Sequence, residues 1–94
     1  MLDKENIDDI NKIKILQRLK KIEGQIRGIQ GMIVGNRSCE DILMQVSAVK
    51  SALHRINKLI LEEKVNSFFN CSEEIYLPQS ALDEIIDLIN RFVR

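Results

Sequence analysis

The sequence predicts an all-α protein of three helices, and three observations carry that prediction. Apolar residues recur at three- and four-residue steps over two long stretches, the period of one helix face. Ile, Leu and Val dominate the apolar content, whereas the aromatics are only Phe68, Phe69, Tyr76 and Phe92 with no Trp, as expected of helix packing rather than stacked sheets. The stretch from Ser38 to Phe69 contains neither glycine nor proline. At 94 residues the chain makes one domain, 1–94, with a modest core of its own.

The first helix is expected to begin between Asp8 and Lys12 and to run to about Val34. Ile10, Ile13, Leu16, Leu19, Ile22, Ile26, Ile29 and Ile33 keep helical spacing along it. Gly24, Gly28 and Gly31 interrupt that pattern at a cost of about 1 kcal/mol each relative to Ala. One continuous helix is expected, with the glycines on one face open to the close approach of another backbone. Gly35-Asn36-Arg37 reads as the turn, with Gly35 suited to the left-handed C-terminal position.

The second helix is the organising element. Ser38 is a good N-cap, Asp41 takes the place of the usual Glu or Gln of a capping box, and Glu40 and Asp41 suit the helix dipole. Ile42, Leu43, Val46, Val49, Leu53, Ile56, Ile60 and Leu61 form its stripe. A helix of this length spans roughly 45–50 Å, longer than a small monomeric domain is wide. Ala48, Ser51 and Ala52 near its middle suit a close crossing of two copies. Asn70-Cys71-Ser72 and Pro78 mark a connection, and residues 73–77 read equally as helix or loop. A third, shorter helix begins near Pro78 or Ser80, where S-A-L-D is cap-like, and Leu82, Ile85, Ile86, Ile89 and Val93 form its stripe. Three helices with long apolar faces are best buried in an antiparallel assembly of several chains.

The formal net charge is zero but unevenly spread. Acids lead before residue 10 and again after Cys71. From Lys12 to Arg37, Lys12, Lys14, Arg18, Lys20, Lys21, Arg27 and Arg37 face the single acid Glu23. A basic segment in a neutral chain is the footprint of a polyanion surface, or else a solvated helix face. No signal peptide and no apolar run near eighteen residues is present, so a cytoplasmic protein without membrane contact is expected. With His54 as the one histidine, no nucleophile–base–acid set can be assembled, and the glycines lack the strand–turn–helix setting of a phosphate loop. An enzyme is not expected. Cys39 stands at the first position of a capped helix, where backbone N–H groups favour a thiolate; a small buried hydrophobe is the alternative.

Two blocks narrow these readings. R-L-K-K-I-E-G-Q-I-R-G-I-Q-G-M from Arg18 to Met32, and C-E-D-I-L-M-Q-V-S-A-V-K-S-A-L from Cys39 to Leu53, closely resemble the CsoR/RcnR/FrmR family of bacterial repressors that sense copper, nickel or cobalt, formaldehyde or sulfane sulfur. The resemblance implies an antiparallel four-helix-bundle homodimer, a homotetrameric dimer of dimers, and operator DNA bound without a helix-turn-helix. Carried over by position, Arg18 and Arg55 match DNA-binding basic residues; Lys14, Lys21 and Lys58 are further candidate phosphate contacts. The competing function is a structural helical oligomerisation module that binds no DNA.

At the sensor site the sequence departs from the family pattern. Cys39 matches the first Cu(I) ligand of the copper sensors. Lys64 stands where their His falls and Phe68 where their second Cys falls, and neither is a good soft ligand. Glu84 matches an outer-shell acidic position. The chain begins Met1-Leu2-Asp3, so the Pro-based formaldehyde mechanism does not transfer. Three inducers remain: modification of Cys39 alone, with Lys64 of a neighbouring chain holding it as thiolate; a Cys39–Cys71 pair between chains, bridged by sulfur or by Cu(I); or none acting here. The sequence ranks a thiol-reactive or sulfur inducer at Cys39 first and three-ligand copper sensing last.

Overall fold

Ser38 ends one helix-breaking turn and starts the longest helix of the molecule, and the hydrogen bonds around it explain both boundaries. The computed structural model describes residues 9–70 and 78–94, and the side chains of all of these but residues 68–70. Helix α1 spans Asp9–Val34, α2 spans Cys39–Asn70 and α3 spans Gln79–Leu88, followed by a π-helical turn over Ile89–Val93. The expected continuity of α1 through its glycines holds. The expectations placed on residues 71–77, Cys71 among them, lie outside the described residues.

The α1–α2 turn corrects one detail of the sequence reading. The left-handed residue is Asn36, with φ 57°, and no glycine has positive φ. Asn36 N–H donates to the Ile33 carbonyl at 3.2 Å and Arg37 N–H to the Met32 carbonyl at 2.9 Å, the paired bonds of a Schellman C-cap. Gly35 sits one residue earlier, where a Cβ would meet the Gly31 carbonyl oxygen at 3.2 Å. Its role is closeness to the preceding turn. On the α2 side the Ser38 hydroxyl accepts the Asp41 N–H at 3.1 Å, as expected of an N-cap. The Asp41 carboxylate meets Arg37 Nη2 at 3.3 Å across the turn.

Helix α3 starts at the first of its two expected places. Pro78 is the N-cap residue, extended at φ −63° and ψ 152°. Its carbonyl accepts the N–H groups of Ala81 and Leu82 at 3.0 and 3.2 Å. Proline fixes its own φ near this value, so the ladder starts there and Ser80 falls inside the first turn.

Helices α1 and α2 pack antiparallel. Ile15 and Ile22 on one and Val49 and Ile56 on the other are buried together, with Leu19, Ile29, Ala52 and Leu59 packed around them. The Asn11 amide donates to the Glu63 carboxylate, joining the start of α1 to the far half of α2. Helix α3 folds back on α2 through Ala81, through the Lys64–Glu84 ion pair at 3.0 Å, and through Asn57 Nδ2 donating to the Phe92 carbonyl at 3.0 Å.

Half of each apolar stripe stays in solvent. Val46, Leu53 and Ile60 follow one another at seven-residue steps, each more than 40% exposed, beside the buried Val49 and Ile56. A seven-residue apolar row of this kind is the pattern by which helices of a bundle seat one another. The Cα radius of gyration is 17.7 Å, against about 12 Å for a compact chain of this length. The accessible surface is 7659 Å², roughly 2,000 Å² above that of a compact monomer of this mass. Among the described residues nothing lies within 4 Å of a Cβ placed on Gly28 or Gly31, so the close backbone approach expected there is not made within them.

Candidate nucleic-acid interface

Because α1 and α2 run antiparallel, basic residues far apart in sequence come to share one groove. Lys14, Arg18 and Lys21 repeat at four and three residues along one face of α1, and Arg55 faces them from α2. Gln17 and Gln25 complete the α1 wall, and Ala48, Ser51 and Ala52 line the groove on α2. The cavity is about 850 Å³ and no carboxylate of the described residues lines it. The small side chains of α2 face α1 of the same chain here. They leave the groove open between two rows of longer residues, a use distinct from the expected crossing of two copies.

Lys58, the fifth candidate, lies in an adjoining depression of about 740 Å³ that shares Ser51 and Arg55 with the groove. Lys50, His54 and Arg94 line it as well. Lys50, His54 and Lys58 share this flank through their four-residue spacing along α2, and Arg94 is not among the sequence candidates. No local signal points to Arg94, because its place depends on how α3 returns to α2.

The sensor candidates are spread over the molecule. Cys39 is exposed in the first turn of α2, with Glu40, Leu43, Met44 and Ser47 around it. Lys64 lies twenty-five residues along the same helix, about 38 Å away at the helical rise, so the two meet only between chains. Lys64 is already engaged within its own chain: its side chain is 14% exposed and its Nζ lies 3.0 Å from Glu84 Oε1. The sequence reading gives this ammonium to the Cys39 of a neighbour. Within its own chain, the return of α3 supplies it with a carboxylate.

These residues do not fit a three-ligand Cu(I) centre of the kind the resemblance implies. Cys39 supplies one soft donor. Lys64 is an ion-paired amine and residue 68 carries only hydrocarbon. Among the described residues of one chain, no three His, Cys, Asp or Glu side chains gather as a metal site. No helix among the described residues is long and apolar enough to cross a membrane.

An all-helical chain with an acid-free basic groove has the makings of a protein that grips a polyanion. The family model for metal-sensitive transcriptional repressors matches residues 11–91, and the chain belongs to that family. It is 36% identical over 83 residues to the copper-sensing transcriptional repressor CsoR of Bacillus subtilis, covering 88% of this chain and 82% of that one. It is 34% identical to CsoR of Mycobacterium tuberculosis over 74 residues, 79% of this chain but only 62% of the relative. Among solved structures, the nickel-responsive transcriptional regulator InrS superposes with a TM-score of 0.72 at 37% identity, covering 84% of this chain and 89% of that one. The copper-sensing repressor CsoR with Cu(I) from Geobacillus thermodenitrificans NG80-2 superposes with a TM-score of 0.71 at 33% identity, covering 100% and 95%. The family consists of transcriptional repressors, not enzymes. These relatives are named for copper and nickel, and they do not support the thiol-reactive or sulfur inducer that the sequence ranks first.

Proposed function

We propose that this chain represses transcription by gripping operator DNA in the groove formed by Lys14, Arg18, Lys21 and Arg55, with Lys58 beside it. It releases the DNA when Cys39 is ligated or modified. The observation that carries this reading is the convergence of four cations from two helices on a groove without a carboxylate. Each cation that neutralises a phosphate releases condensed counterions, so the affinity falls steeply as salt rises. Chains pair through the exposed Val46–Leu53–Ile60 seam into a four-helix-bundle dimer, and two dimers join as a tetramer. That assembly multiplies the basic grooves along one duplex.

At the sensor end the copper and nickel relatives favour a metal as inducer. The donor set of this chain reduces its part in such a site to Cys39, with Cys71 of a neighbouring chain as the candidate second thiolate for Cu(I). Persulfides and aldehydes remain as competing modifiers of the same sulfur.

The test is fluorescence anisotropy on a labelled duplex of the protein's own promoter, with a scrambled duplex as control. Arg18→Ala combined with Arg55→Ala is expected to abolish binding while sedimentation shows the same assembly. Undiminished affinity in that variant would remove the groove from the reading. A structural oligomerisation module without DNA function shows no preference for the promoter over the scrambled duplex. Adding Cu(I), Ni(II), a persulfide donor or formaldehyde identifies the inducer, and Cys39→Ala is expected to stay bound through the effective one. Release of the Cys39→Ala protein by that same compound places the sensor elsewhere.

A further inference from the structure

We infer that the DNA-binding surface does not stop at α2 but continues onto the C-terminal turn, with Arg94 as a phosphate contact and Asn57 as the residue that positions it. The inference rests on the proposed DNA-binding role of the groove and extends it to an element that role does not require.

Three observations carry it. The depression holding Arg94 is continuous with the groove, because Ser51 and Arg55 line both. Like the groove it is lined, among the described residues, by basic and neutral side chains, with Lys50, Leu53, Lys58 and half-buried His54 beside Arg94 and no acidic side chain. A polyanion leaving the groove past Arg55 therefore meets further basic side chains and no acidic side chain of the described residues.

The two arginines of the turn also differ in how their charge is spent. Arg91 Nη1 lies 3.4 Å from Asp87 Oδ2, which balances it within the helix. Arg94 Nη1 donates to Asn90 Oδ1 at 3.4 Å, a neutral acceptor. Among the described residues no acidic side chain pairs the Arg94 guanidinium, whereas Asp87 pairs that of Arg91.

Its position is built rather than accidental. Ile89–Val93 widen into a π-helical turn, closed where Arg94 N–H donates to the Ile89 carbonyl at 3.0 Å. Asn57 Nδ2 reaches from α2 to the Phe92 carbonyl at 3.0 Å. That bond fixes the turn to the same helix that carries Arg55 and Lys58. Asn57 touches no DNA in this account; it acts through Arg94.

The experiment is the same promoter duplex, titrated at several salt concentrations with full-length Arg94→Ala, Arg94→Lys, Asn57→Ala and the Arg94→Ala/Asn57→Ala double variant. Arg94→Ala is expected to weaken binding and to lower the slope of log affinity against log salt by about 0.9 for each copy that touches DNA. Its loss is then about three- to four-fold larger at 50 mM than at 200 mM salt for one such copy. Arg94→Lys is expected to restore the slope. Asn57→Ala is expected to weaken binding in the same salt-dependent way and to add little on top of Arg94→Ala, since both remove one contact. A salt slope unchanged by Arg94→Ala overturns the inference, and so does full additivity of the two substitutions. If Arg18→Ala/Arg55→Ala has lost binding in the same series, the groove stands and only its extension falls. If that variant also binds normally, the DNA reading itself has failed.

Discussion

Lys64 Nζ lies 3.0 Å from Glu84 Oε1 and joins the far end of α2 to α3, at the two positions where the family resemblance places a metal ligand and its outer-shell acid. An ammonium and a carboxylate thus hold together two elements without an added ion. The pair is asymmetric, for the lysine side chain is 14% exposed and the glutamate 51%. Most of the desolvation therefore falls on the amine. Glu84→Gln withdraws the opposing charge from a largely buried ammonium and is expected to cost about 1–2 kcal/mol. Lys64→Met removes the buried charge and keeps most of the packing volume, so its cost is expected to be smaller. Urea unfolding of the two variants decides between them. A larger loss for Lys64→Met assigns the site to packing or to other contacts of Lys64 rather than to this charge pair.

The same two positions make a gain-of-function prediction. Lys64→His with Phe68→Cys puts a nitrogen and a sulfur donor where the copper sensors have theirs, leaving Cys39 of a neighbouring chain to complete the set. Soft donors of this kind select Cu(I). The double variant is expected to take Cu(I) from a competing chelator and to leave promoter DNA when it does so. Cu(I) uptake equal to that of the unaltered chain shows that the helix ends do not approach Cys39 across the interface.

Both ends of the α1–α2 turn can be tested locally. Ser38→Ala removes the hydroxyl that accepts the Asp41 N–H and is expected to cost about 1 kcal/mol, with Ser38→Asp recovering most of it. Asn36→Gly is expected to be neutral or slightly stabilising, because its φ of 57° suits glycine better than any other residue. Gly35→Ala is expected to destabilise, since its Cβ must push against the Gly31 carbonyl. Thermal denaturation of the four single variants reads all of these effects. An Asn36→Gly protein less stable than Gly35→Ala reverses the assignment of the two residues.

What the sequence reveals and what it hides follow from the range of the interactions involved. The extents of α1 and α2 are written in local periodicity and in Ser38, whose capping bond spans three residues. The basic wall of α1 is equally local, because Lys14, Arg18 and Lys21 repeat on one face. The turn detail is misread because two adjacent residues, Gly35 and Asn36, both tolerate a left-handed backbone. Only the contact with the Gly31 carbonyl, one turn back, distinguishes their uses. Ser80 is cap-like by type, but Pro78 two residues earlier already starts the ladder. The Lys64–Glu84 pair and the placement of Arg94 are hidden altogether, since each depends on the return of α3 across a connection with no strong pattern. Likewise, Ala48, Ser51 and Ala52 announce a close approach without saying which surface approaches.

The exposed seam leads to the last prediction. Val49 and Ile56 are buried against α1, while Val46, Leu53 and Ile60 are 43%, 44% and 43% exposed at a constant seven-residue step. In a helix bundle both rows are covered, one by the neighbour in the chain and the other by a second chain. The accessible surface in excess of a compact monomer is roughly 2,000 Å² per chain, so about 4,000 Å² for a pair, within the range of an obligate homodimer interface. Leu53→Glu puts a carboxylate at the centre of the row without touching the buried Ile15, Ile22, Val49 and Ile56. Its expected effect is to shift the sedimentation coefficient toward a chain of 10.9 kDa while much of the helical circular dichroism remains. Promoter affinity is expected to fall with it for two reasons, since one chain presents one groove where an assembly presents several and since Leu53 also lines the depression beside Lys50, Lys58 and Arg94; the uncharged Leu53→Ala separates the two. An assembled Leu53→Glu protein rules this row out as the seam; a dissociated one that still binds DNA at full strength confines the grip to a single chain.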